Sequence, residues 1–148
     1  MEARWQERVH PGDVIYHLGD FALCSKKWAS LLLERLPGHK VLIHGNHDGS
    51  RTRMLDIGFD EVHDRLVHRG VLMIHDPQDL VALPVPDSIN LAFCGHVHEK
   101  WKLQSRTIHR EFPESGQVIR VLNVGVDQWD FAPVQWETAL EALDQGGT

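Results

Sequence analysis

The residues of this 148-residue chain best equipped for chemistry stand in Lys40 to Gly49, KVLIHGNHDG. There Asn46, His47 and Asp48 offer an amide oxygen, an imidazole and a carboxylate in succession, directly after Gly45, a residue free to turn where others cannot. Similar chemistry recurs along the chain. Asp20 follows Gly19, His75 follows the apolar run Val71 to Ile74, and His96 and His98 flank Val97 directly after Gly95. Taken singly, most of these have an ordinary reading: Asn-His-Asp-Gly suits a turn, Asp20 a loop or cap, and His75 a satisfied polar residue at a strand end. Taken together they are a mixed oxygen and nitrogen donor set for divalent metal ions. Such a set suits Mn, Fe, Zn, Ni or Co better than magnesium or calcium, which prefer oxygen shells, and a carboxylate such as Asp20 can bridge two ions. In an extended segment residues two apart point the same way, so His96 and His98 are expected to present both rings to one side while Val97 faces the core.

The elements that must position these groups are legible as short apolar runs. Val14 to Leu18, Val41 to Ile43, Val71 to Ile74 and Leu91 to Cys94 read as buried strands, and each empties into a metal-capable residue. Ser25 to Leu36 reads as a helix capped by Ser25, with Trp28, Leu31, Leu32 and Leu36 on one face, closed by Pro37-Gly38. Shorter helices are expected over Met1 to Val9 and around Met54 to Ile57, further strands over Trp101 to His109 and Gln117 to Val124, and a terminal helix over Trp136 to Leu143. The loop Asp76 to Asn90 and the region Trp101 to Pro113 are expected to shape a pocket.

Composition bounds the setting. The length suits one domain spanning residues 1–148, and the hydrophobic fraction of 42% with a charged fraction of 24% is that of a globular protein. No apolar run reaches the length of a membrane span, and MEARWQERVH lacks the apolar centre of a signal peptide, so the expected compartment is the cytoplasm. A formal net charge of -6 argues against a general nucleic-acid binder while leaving room for a phosphate-bearing substrate at a bound cation. Cys24 and Cys94 fall in no paired pattern and read as free thiols used in packing.

The Gly19-Asp20 pair, the GNHD of Gly45 to Asp48, the strand-ending His75 and the GHVH of Gly95 to His98 together resemble the signature of the calcineurin-like metallophosphoesterases. Order and rough spacing match from about Val14 to Val126, and YHLGDFA with NVGVDQWDFAP resembles a branch of small bacterial and phage phosphoesterases. The resemblance implies an α/β fold, a two-sheet α/β/β/α sandwich with two divalent transition-metal ions at the strand ends. It implies that Asp20 bridges the ions, that Asn46, His75 and His96 complete one site, and that His98 belongs to the other. His47 would serve the leaving oxygen with Asp48 orienting its ring, and Asn123 and Asp127 would support the site from outside. The implied reaction is hydrolysis of a phosphomonoester or phosphodiester by metal-activated hydroxide, on a nucleotide or small phosphodiester, with no membrane partner.

One motif of that family is absent. Its members open with D-x-H, which supplies the remaining ligands of the site that includes His98, and no D-x-H occurs in this sequence. The chain therefore reads as short at its N-terminus and missing the first strand, with one ion held more firmly than the other. Three readings stay open: an N-terminally incomplete version of an active phosphoesterase, a complete protein working with one strongly held metal or with ligands borrowed from a partner chain, and a catalytically impaired relative serving as a metal-binding or protein-interaction scaffold.

Overall fold

The computed structural model describes residues 2–21, 24–110 and 115–145. They form a mixed α/β fold with two sheets. In chain order the elements are α1 (Glu2–Arg8), β1 (Val14–His17), α2 (Lys26–Arg35), β2 (His39–Ile43), α3 (Arg51–Ile57), β3 (Glu61–His63), β4 (Leu66–His68) and β5 (Val71–Ile74). There follow α4 (Asp79–Ala82), β6 (Leu91–Cys94), β7 (Leu103–Arg110), β8 (Ser115–Asn123) and α5 (Trp136–Gln145). The first sheet runs β1-β2-β3 and is parallel throughout; the second runs β4-β5-β6-β8-β7. In the second sheet β5, β6 and β8 are parallel, and the antiparallel strands β4 and β7 stand at its edges. Parallel strands deliver their C-terminal ends to one edge, which is where ligand sites of open α/β sheets form.

The apolar runs are continuous because neither sheet leaves its central strands a wet face. Leu42 packs beneath the helices with Trp5, Leu33, Met54 and Ile57, while its neighbour Ile43 turns the other way into a cluster joining the sheets with Met73, Phe93 and Leu122. The second sheet divides likewise: Val71, Met73 and Phe93 face that shared cluster, and Leu72, Ile74, Ala92 and Cys94 face a third one. Successive side chains alternate between two cores, so polarity does not alternate.

Helix α2 begins as expected, with Ser25 Oγ accepting from the Trp28 N–H at 3.4 Å. Its buried face is different from the expected one. Ala29 and Leu33 are buried together with Leu36 at the cap, and Leu32 is half-buried, whereas Trp28 and Leu31 are 67% and 40% exposed. The small Ala29 lets the helix approach the sheet, and spacing alone could not choose between two overlapping apolar stripes. The short helix α4 lies in what the sequence suggested was a proline-bearing loop. The region Trp101 to Pro113 falls on β7 from Leu103 to Arg110, with residues 111–113 outside the described residues, and neither it nor the loop Asp76 to Asn90 lines the two pockets described below, against expectation.

His17, at the end of β1, is enclosed by the rings of Phe21 and Phe59, whose centroids lie 5.3 and 6.3 Å away. Its Nδ1 is buried without a hydrogen-bond partner. Loss of hydration pushes its pKa down to about 4, against a smaller opposing pull from Asp48. The folded protein therefore holds this imidazole neutral. The unfolded chain takes up a proton as pH falls through about 6.5, so stability that is complete above that pH is lost progressively down to about 4. Urea denaturation should show the wild type losing roughly 2 kcal/mol more than His17→Leu between about pH 7 and pH 4.5.

Candidate metal centre

Three glycines allow the strand exits to meet. Gly19 has φ of 87°, and a Cβ there would overlap the His75 ring; a Cβ on Gly45 would overlap Asp20, and one on Gly95 the Leu18 carbonyl. The exits of β1, β2, β5 and β6 can thus pack around the turn Leu18 to Asp20 without side chains between them.

The carboxylate of Asp48 ties two of those exits together. One oxygen accepts from the backbone N–H groups of Asp20 at 2.9 Å and Gly45 at 2.8 Å, and the other from Phe21 at 3.0 Å. Asp20 in turn accepts from the His47 backbone N–H at 2.9 Å. These ties correct the expected role of Asp48. Its oxygens are engaged by the backbone, so it does not orient His47, whose exposed ring has no hydrogen-bond partner among the described residues. His44, which no motif in the sequence singled out, closes the same loop through Nε2 and the Gly49 carbonyl at 2.6 Å.

His75 is the centre of the donor set and is 4% exposed. Its Nδ1 donates to the Leu18 carbonyl at 2.7 Å, which leaves Nε2 as the acceptor nitrogen. That nitrogen faces Asn46 Oδ1 at 2.9 Å, His96 Nδ1 at 3.1 Å and Asp20 Oδ2 at 3.4 Å. One lone pair on Nε2 can receive one hydrogen, and neither the Asn46 oxygen nor the Asp20 carboxylate brings any. Acceptors converging in this way are what a cation resolves. The imidazole N–H held by a backbone carbonyl is also the usual support for a metal-binding histidine. His96 lacks that support: its Nε2 lies 3.7 Å from Asp76 Oδ2, within ion-pair reach and beyond a hydrogen bond. Asp76 was legible only as the neighbour of His75. The donor atoms of Asp20, His75 and His96 lie within 4.8 Å of one another, and two imidazoles with a carboxylate and an amide oxygen suit a divalent transition metal.

His98 does not join them. Gly95 to His98 is not extended: His96 and His98 have φ of 61° and 47°, and His98 opens a 3-10 turn to Lys100. Val97 faces the core as expected, while His98 Nδ1 lies 3.1 Å from Asp127 Oδ2, forming with Glu99 a separate exposed group. The fully buried Asn123 fixes this turn, its amide donating to the carbonyls of His98 at 2.6 Å and Trp101 at 2.9 Å. Asp20, His96 and His98 all take positive φ, a conformation costing about 1–3 kcal/mol for such residues and concentrated at functional sites.

A groove of about 850 Å³ opens on the centre, lined by Asp20, His75, His96 and Asp127 and by β1, which pairs with β2 alone among the described strands. His47 does not line it. The ring stands instead over a smaller pocket with Arg53 and Gly49. Both cysteines are free thiols as expected, and burial pushes the Cys94 thiol up to about 12, leaving it a packing residue.

No family model matches the chain. The uncharacterized protein MJ1445 of Methanocaldococcus jannaschii is 27% identical over 146 residues, covering 96% of this chain and 72% of that protein. The crystal structure of AQ665 from Aquifex aeolicus, a protein of unknown function, matches with a TM-score of 0.65 and 25% identity over 96% of this chain and 82% of the other. The two-sheet α/β architecture therefore has a solved counterpart, while function must be argued from the site. No helix among the described residues is long and apolar enough to cross a membrane.

Replacing Asp48 with Ala removes the acceptor of three backbone N–H groups at once. Urea denaturation should report a loss of about 3 kcal/mol or more.

Proposed function

We propose that this chain is a metal-dependent phosphoesterase that hydrolyses a phosphomonoester or phosphodiester, built on a two-sheet α/β/β/α sandwich. The observation that carries the reading is the convergence of Asn46 Oδ1, Asp20 Oδ2 and His96 Nδ1 on the acceptor nitrogen of His75. Asp20, Asn46, His75 and His96 would hold one divalent transition metal, Mn, Fe, Zn, Ni or Co. Such an ion lowers the pKa of a bound water and neutralises phosphoryl oxygens.

The remaining work falls to the chain. His47, exposed and anchored through its backbone N–H to Asp20, would give a proton to the leaving oxygen. The leaving alkoxide would otherwise depart as a strong base. Asp48 serves the reaction indirectly, by fixing the turns that carry Asp20 and His47. His98, with Glu99 and Asp127, offers a second, more exposed group of donors. A weaker second ion there would assist binding of the same phosphoryl group.

A second reading, a metal-binding protein without hydrolysis, is favoured by one observation: His98 turns onto Asp127 instead of toward His75. Elemental analysis and bis(p-nitrophenyl) phosphate hydrolysis with added manganese separate the two. We expect roughly one tightly held metal per chain, lost in His75→Ala, and turnover that falls about a hundredfold in His47→Ala with the metal retained. Metal binding with no hydrolysis selects the second reading, and a chain that holds no metal rules out both.

A further inference from the structure

The pocket under His47 has no part in holding a metal, yet it is built for charge. Its volume is about 310 Å³, and Phe21, Lys26, His47, Gly49, Arg53 and Met54 are among its lining residues. Lys26 is paired with Asp56 at 3.2 Å and Arg51, two residues before Arg53, reaches Asp64 at 4.0 Å. Arg53 has no carboxylate partner among the described residues. The carboxylate that does line the pocket, Asp48, already accepts from three backbone N–H groups.

The Arg53 stem also packs on the loop that carries His47, while the residue as a whole is exposed. A Cβ on Gly49 would overlap Arg53 Cδ, so the arginine stem lies directly against the Gly49 backbone. Gly49 is itself tied through its carbonyl to His44, and the Arg53 backbone N–H donates to the capping Ser50 Oγ at 3.3 Å. Arg53 is exposed and lacks a carboxylate partner among the described residues, so its guanidinium is available to an anion, and its planar fork matches phosphate oxygens.

Position says which part of a substrate would meet it. His47 lines this pocket and not the groove that opens on Asp20, His75 and His96. A group that protonates a leaving oxygen stands on the leaving side of the phosphorus. We propose that the pocket receives a second phosphate carried by the leaving alcohol, with Arg53 as its counter-charge, so that the preferred substrates are bisphosphorylated. The proposal rests on the phosphoesterase reading for the word leaving. The anion site itself does not depend on it.

The test compares hydroquinone bisphosphate with phenyl phosphate, whose leaving phenol lacks the second phosphate, in wild type, Arg53→Met and Arg51→Met. The methionine keeps an apolar stem against Gly49, and Arg51→Met controls for loss of one positive charge outside the pocket. Phosphate release should show kcat/KM for the bisphosphate falling about thirtyfold in Arg53→Met, with phenyl phosphate and bis(p-nitrophenyl) phosphate changed less than about twofold. Calorimetric binding of hydroquinone monophosphate should weaken about tenfold or more in Arg53→Met and not in Arg51→Met. Equal binding by wild type and Arg53→Met overturns the proposal whatever the hydrolytic results. Hydrolysis with no preference for the bisphosphate overturns it too and leaves the phosphoesterase reading standing. Selective loss of binding without hydrolysis of any ester keeps the anion pocket and removes the phosphoesterase.

Discussion

Three backbone N–H groups on one carboxylate organise this molecule. Asp48 reaches from the exit of β2 to the exit of β1, and its two oxygens take the N–H groups of Asp20, Phe21 and its own loop's Gly45. Those donors cannot find partners in a sheet, because the strands have ended. Left unpaired they would each cost about 1–3 kcal/mol. Accepting them all, Asp48 also holds Asp20 in its left-handed backbone conformation and so aims its side chain at His75. Strain of that kind persists only where the surroundings over-determine it.

The centre straddles the two sheets, and its geometry therefore depends on how they pack. Asp20 and Asn46 come from the exits of the first sheet, His75 and His96 from those of the second. Just beneath them Leu18, Ile43, Met73 and Phe93 lie in one buried cluster. The glycines set the approach: side chains at Gly19 or Gly95 would push the sheets apart at the level of the donor atoms. Apolar packing brings the exits close, and the glycines decide how close. A shift of about one ångström would be enough to separate donor atoms that now lie within 4.8 Å of each other.

Charge is distributed in keeping with that plan. The interior of the centre is a set of acceptors facing one another, and the pocket beyond His47 presents a guanidinium. The proposed cation fits the first and the proposed anion the second. His47 stands over the pocket, with its backbone on Asp20 and its ring uncommitted.

The sequence by itself determined the strands and the kind of residue at which each one ends. Val41 to Ile43, Val71 to Ile74 and Leu91 to Cys94 are apolar because both faces of the sheet are covered there, and that burial is written in composition; the burial expected of Val14 to Leu18 is not met along β1, an edge strand among the described residues whose Val14 is exposed and whose Ile15, Tyr16 and His17 are half-buried. The polar donor just beyond each run was equally legible, and Asp20, Asn46, His75 and His96 do come together. What only the tertiary structure decided was the direction of individual side chains past the strand ends. His98 left the cluster because two left-handed residues break the extended geometry that would have aligned it with His96. Asp48 turned to the backbone because two of the three N–H groups it satisfies, those of Asp20 and Phe21, belong to a segment 28 and 27 residues away in sequence. Helix α2 buried Ala29 and Leu33 in place of Trp28 and Leu31 because the sheet beneath it selects the stripe. Periodicity is a local property that a chain carries in its composition; the partner of a group beyond the end of a strand is fixed by whatever the rest of the chain folds against it.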